Sequence, residues 1–189
     1  SATGALVSLG ITRLLNARSQ FKVNAGRNFG SAADNIRLDQ ELRGVSANSR
    51  PGAISSDPMR ADYASAAWIF SGPRSTAALR GDLRRENHRT QTDLNRNESR
   101  GEFQVTRVLG PRISFDFLTG YSRNRFRQAD VRFTEWDVGA GLSWRANDAF
   151  SIALRASHSA GTGDSSDGPG TRDFTENRGE IRLVYAPRF

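Results

Sequence analysis

Charged side chains recur at every second position along much of this chain, and that spacing limits the chemistry open to them. Arg80, Asp82, Arg84 and Glu86 alternate with Leu79, Gly81 and Leu83. Arg100 and Glu102 repeat the phase, and Asp116, Glu135, Asp137, Arg155, Glu180 and Arg182 hold it in later segments. Arg112 is assigned to the same set. A period of two is the side-chain period of a β-strand, so these groups are expected to share one face. Guanidinium and carboxylate groups held side by side can pair across strands, or can hydrogen-bond a hydroxylated solute. The two signs nearly balance, which argues against a strongly anion-selective surface.

Nucleophilic and metal chemistry have less support. The histidines are His88, two residues after Glu86, and His158, between Ser157 and Ser159. Catalysis would require side-chain contact with an acid or a serine, and the two segments are not neighbours in chain order. Both are expected to be solvated loop histidines, and no catalytic residue is assigned. The chain is therefore expected not to be an enzyme. Asp164, Asp167 and Asp173 lie among glycine and serine, without the ligand spacing of a calcium loop. No metal and no cofactor is expected.

The elements that carry the charged series alternate throughout. Nine segments oppose apolar to polar residues: Gly4–Thr12, one around Phe21–Ala25, Tyr63–Phe70, Thr76–Glu86, Arg100–Thr106, Arg112–Ser122, Glu135–Trp144, Phe150–Ser157 and Glu180–Phe189. Short turns are expected at Leu14–Ala17, Ser71–Arg74, Leu109–Arg112 and Arg145–Asp148, rich in the residues that tight hairpins use. Longer polar segments fall between them, at Gly30–Arg60, His88–Asn97, Arg125–Asp130 and Ser159–Thr175. Alternating short and long connections are the rhythm of an outer-membrane barrel. The fold class is thus all-β, an antiparallel transmembrane β-barrel, in a single domain over 1–189. A soluble β-sandwich would not carry ionic residues so regularly on its second face.

Composition agrees. Mean hydropathy is −0.58, and no run approaches the roughly 18 apolar residues of a membrane helix. Barrel strands need only alternate apolar positions, so their average stays low. The net charge of +7 rests on arginine, with Lys22 the sole lysine. The arginines are spread along the chain among acids, which argues against nucleic acid as a partner. Cysteine is absent. Ser1–Leu9 lacks the charged start and cleavage pattern of a secretion signal, so the signal is expected to have been removed or the chain to begin partway through a longer protein.

The chain's end carries a second signal. Ile181, Leu183, Tyr185, Pro187 and Phe189 alternate up to a terminal aromatic, which is similar to the signal read by the barrel assembly machinery. Tyr185 and Phe189 are its aromatic positions. Nine strands is an odd count, whereas bacterial single-chain barrels have even numbers. A further strand is expected upstream of Ser1, or within Asn35–Gly44, and the domain is expected to be incomplete at its N-terminus. Trp68, Phe70, Tyr121, Trp136, Trp144 and Tyr185 are expected to form the interfacial aromatic girdles.

The unit Ser71-Gly72-Pro73-Arg74-Ser75 between two strands carries a resemblance, with Asp57-Pro58, Trp68-Ile69-Phe70, Glu176-Asn177-Arg178, Tyr185 and Phe189. With these the chain resembles outer-membrane β-barrel proteins associated with exopolysaccharide and PEP-CTERM sorting loci of Gram-negative bacteria. The resemblance implies export or anchoring of an extracellular polysaccharide, with no cofactor and no catalytic residue to carry over. The expected location is the bacterial outer membrane. The expected partners are its lipid and lipopolysaccharide, the assembly machinery, and a polysaccharide as candidate solute. A channel is the leading expectation; a non-conducting anchoring barrel and, last, a barrel enzyme are the alternatives.

Overall fold

Alternation of apolar and polar residues becomes nine antiparallel strands joined in simple up-and-down order. The computed structural model describes residues 7–30, 58–128, 131–147, 149–164 and 173–185. The strands are β1 (Val7–Asn16), β2 (Ser19–Gly30), β3 (Met59–Ser71), β4 (Ser75–His88), β5 (Arg96–Gly110), β6 (Ile113–Phe126), β7 (Arg132–Arg145), β8 (Phe150–Asp164) and β9 (Phe174–Tyr185). A single 3-10 turn, Thr92–Leu94, interrupts the β4–β5 connection. Each strand pairs with its sequence neighbour, and among the described residues the sheet is open between β1 and β9. Asn35–Gly44, Pro187 and Phe189 lie outside the described residues.

The short connections follow the sequence reading closely. Asn16 Oδ1 accepts the Arg18 amide at 2.9 Å in the first turn, and Asn147 Oδ1 accepts the Ala149 amide at 2.9 Å in the fourth. These are Asx turns, the local bonds for which asparagine is used at tight reversals. Adjacent turns are also tied together, Ser71 N to Arg18 O at 2.7 Å and Arg145 N to Arg112 O at 2.8 Å. Several strand ends reach into the expected loops. β8 continues through the supposed loop start at Ser159 to Asp164, because β7 supplies backbone partners as far as Arg132. Likewise β3 begins at Met59, paired with Gly30 and His88.

The two faces reverse the arrangement of a water-soluble sheet. Leu79 and Leu83 are 52% and 62% exposed, while on the other face of the same strand, just beyond them, the side chains of Arg84 and Glu86 retain only 15% and 4%. Val7, Leu9, Ile11, Leu142, Leu154, Ile181 and Leu183 are exposed in the same way. Among the described residues the buried hydrophobic side chains are Met59 and Ala61 alone. An apolar face left bare in water forfeits about 25 cal/mol per Å², so this face is built for an apolar solvent. Trp136 and Trp144 stand eight residues apart on it, about 27 Å along a strand at ~3.4 Å per residue. Tilted by about 40°, that separation covers about 21 Å of height, most of the roughly 25 Å lipid-facing band of a barrel. Trp68 stacks on Phe70 at 6.3 Å between centroids, and its indole N–H donates to Ser19 Oγ at 2.7 Å. The indole thus keeps its polar atom satisfied while its ring faces outward.

Candidate functional site

The polar face of β4 and β5 is a checkerboard of opposite charges. Register places Arg80 opposite Glu102, Asp82 opposite Arg100, Arg84 opposite Glu98 and Glu86 opposite Arg96. Charge also pins this alignment. A slip of two residues would set Arg80 against Arg100, Asp82 against Glu98 and Arg84 against Arg96, and like charges directly opposite are unfavourable. A slip of one would turn the apolar set inward.

The contacts show how the charges are shared. Arg100 Nη2 lies 3.1 Å from Glu102 Oε2, and Arg80 Nη1 lies 3.7 Å from Oε1 of the same carboxylate. Glu86 is 3% exposed and held from two sides. Arg84 Nε approaches it at 2.9 Å, and Arg96 Nε donates to it at 2.7 Å. Such charge-assisted bonds are the stronger kind.

Farther along the wall the relief comes from glycine. Asp116, Gly141 and Arg155 share one cross-strand row, and Arg155 Nη2 reaches over the glycine to Asp116 Oδ2 at 3.4 Å. A Cβ on Gly141 would sit 2.5 Å from Asp116 Oδ1, so any other residue displaces the carboxylate from that row. Gly120 gives the same clearance to Asp137. Glu135 stands in β7 opposite Ser122. Glu180 and Arg182 lie in β9, 4.0 Å apart and largely exposed.

Three expectations are corrected. Arg112 is in the β5–β6 turn and not on the charged face; its Nη1 donates to the Ala146 carbonyl at 3.1 Å, linking two turns. Arg112→Ala is expected to cost about 0.5–1.5 kcal/mol, the worth of one such bond, measured as a shift in the urea midpoint. His88 is not a solvated loop residue. It ends β4, is 8% exposed, and its amide donates to Asn95 Oδ1. His158 lies within β8 on the apolar face, 5.2 Å from the Trp136 ring, with Nδ1 2.7 Å from Asn177 Oδ1. The histidines therefore occupy opposite faces of the sheet, far from a shared site.

A basic row went unread in the sequence. On the apolar face, at the long-connection edge, register aligns Arg27, Asp62, Arg85, Asn97, Arg125 and Arg132 across six strands. Arg60 and Arg123 flank it on the same face. The signal was available: the apolar series of β4 continues from Leu83 to Arg85, and that of β6 from Tyr121 to Arg123 and Arg125. Beside this row Arg127 donates through Nη2 to Asn87 Oδ1 and, at 3.1 Å, to the Glu86 carbonyl. Burial, then the charges of Arg85 and Arg60, hold the Arg127 guanidinium below the ordinary arginine value.

No family model matches the chain, and no curated protein matches it. Solved structures of OmpT, an outer membrane protein of Vibrio cholerae, are similar in fold. The in-vitro folded form has a TM-score of 0.63 at 10% identity, covering 95% of this chain and 55% of that one. The outer-membrane expressed form has a TM-score of 0.62 at 10% identity, with the same 95% and 55% coverage. A mutant lacking loop L8 has a TM-score of 0.59 at 11% identity, covering 95% and 53%. The chain spans about half the length of the solved structures it matches. With the nine-stranded sheet, the likeness shows the fold: an antiparallel outer-membrane β-barrel wall.

Proposed function

We propose that this chain is the wall of a bacterial outer-membrane channel for small polar solutes, set in the membrane by its exposed apolar face. The observation that carries the reading is the continuous polar face. Paired Arg80, Arg100, Glu102 and Asp116 share it with small side chains such as Ser143, Ser157 and Ser159. Low relief on one part of a wall leaves room for solute, and paired charges on the other offer hydrogen bonds without a dominant sign. Hydroxyl-rich sugars fit that chemistry. Polysaccharide export is the narrower form of the proposal, supported by the resemblance around Ser71–Ser75. Insertion by the barrel assembly machinery belongs to the same reading, through Tyr185 and Phe189. No catalytic role is assigned to either histidine.

Full-length protein in a planar bilayer is expected to give ohmic conductance with weak ion selectivity. Replacing Arg80 and Arg100 together by glutamate should move the reversal potential toward cation selectivity. Silence at every voltage would reject the channel and leave an anchoring barrel, the reading favoured by the self-satisfied pairs around Glu86 and Glu102. The membrane assignment has its own test: the folded protein should change gel mobility on boiling, and solubility without detergent would reject it.

A further inference from the structure

We propose that Phe133 and Phe174 form a platform on the polar wall that binds solutes joining a flat aromatic ring to an ammonium group. The inference deepens the channel reading above, naming a solute class for the wall, and rests on it for the solute's access. Its first support is how the two rings are seated. Phe133 keeps the strand phase of Glu135 and Asp137, and Phe174 that of Glu176, so both belong to the polar face. They lean toward each other from β7 and β9 across β8, where Gly163 is the register partner of Phe133 and Gly161 that of Phe174. Both glycines are buried. A Cβ on Gly161 would sit 2.8 Å from Phe174 Cζ, so the ring lies directly on the bare backbone of β8.

The second support is the surface that results. The ring planes are 11° apart and the centroids 6.0 Å. Parallel rings so far apart overlap only at their edges, so neither hides the other's face. Both side chains are half-buried, and together they make a flat apolar tile in a polar wall. The tile is not packed as core, since the buried hydrophobic side chains among the described residues are Met59 and Ala61. A further ring set offset-parallel or edge-on to the tile gains the stacking energy of an aromatic pair.

The third support is charge. Across β7 to β9 the three register rows around the tile hold Glu135, Asp137 and Glu176, and among the described residues no arginine or lysine. This departs from β4 and β5, where four alternate rows each set an arginine against an acid. Carboxylates offer acceptors, so the ligand has to bring the donors and the positive charge, and a ring face also attracts a cation. Glu176 stands two residues beyond Phe174 on the same face, about 7 Å along the strand, within reach of an ammonium two carbons from a bound ring. A sugar would use donors from the wall as much as acceptors, and an anion would meet the wrong sign.

The test uses the full-length protein in an uncharged detergent, titrated in a calorimeter with phenethylamine, ethylamine, phenylpropionate and methyl glucoside, each corrected for protein-free micelles. Phenethylamine is expected to bind saturably, about fivefold or more tighter than ethylamine, as one good ring contact implies, and tighter than the other two. Phe133→Leu with Phe174→Leu keeps an apolar surface but removes the flat faces, and should erase the preference for the ring. Phe103→Leu, on the opposite face of the sheet beside Leu79, should leave it unchanged. Ethylamine binding as tightly as phenethylamine overturns the proposal. Phenylpropionate or methyl glucoside binding as tightly overturns it too, marking an anion site or a sugar platform, and so does the absence of saturable binding. The comparison of ligands needs no variant, so it decides even where a substitution impairs folding. Silent bilayers with this binding retained would reject the channel and leave the site standing, so the two failures are distinguishable.

Discussion

Ala140→Arg is expected to cost about 2–4 kcal/mol of folding stability, the penalty for an arginine at the lipid midplane of a barrel strand. Ala140 lies in β7 midway between Trp136 and Trp144, on the exposed apolar face, with Phe117 and Ala156 beside it in register. An arginine there is too deep to carry its guanidinium easily to either interface, so desolvation dominates. Ser143, three residues on, points to the other face, between Ser114 and Ala153. Ser143→Arg meets small neighbours and a polar surface, and should stay within about 0.5 kcal/mol. Reversible urea unfolding in lipid vesicles measures both. A larger loss for Ser143→Arg than for Ala140→Arg would mean that the faces are assigned the wrong way round.

Glu86→Ala should be as damaging for a different reason. The carboxylate is buried between Arg84 and Arg96, whose side chains keep only 15% and 23% of their exposure. Removing it leaves two guanidinium groups partly desolvated without their shared counter-charge, and breaking a buried pair from one side costs about 3–5 kcal/mol. Glu86→Gln retains the shape and some hydrogen bonding but not the charge, so most of the loss should persist. The contrasting case is Glu180→Ala. Its pair with Arg182 is 4.0 Å long and exposed, worth about 0–1 kcal/mol at most. Unfolding midpoints of the three variants check the order. Equal losses at Glu86 and Glu180 would show that the first pair is as solvated as the second.

Much of the wall was legible from residue order. Leu79 and Leu83 against Arg80 and Arg84 declare opposite faces without any knowledge of their neighbours, because the strand's period of two is a local property. Turns at Ser71–Arg74 and Leu109–Arg112 were equally readable, since glycine and proline mark reversals by their own backbone preferences. His88 and His158 were misplaced because strand ends are set by partners. His88 is ordered by Met59 and Asn95, and β8 runs past His158 because β7 continues to pair with it.

The charge ladder divides the two kinds of knowledge. Sequence alone determined that the polar phase of β4 and β5 alternates in sign, and hence that a matching register existed in which every pair is favourable. Only the tertiary structure decided that Arg80 meets Glu102 and Glu86 meets Arg96, through the connection that fixes where β5 begins. The same division explains Asp116 and Arg155, which no local rule would join. They meet because two strands separated by one more bring Gly141 between them, and glycine leaves the space. The arginine edge belongs to the same class: each arginine is an unremarked end of an apolar series, and only lateral pairing of strands makes a cluster of them. Alternation follows from backbone geometry within one strand; juxtaposition follows from hydrogen bonds between strands that are far apart in the chain.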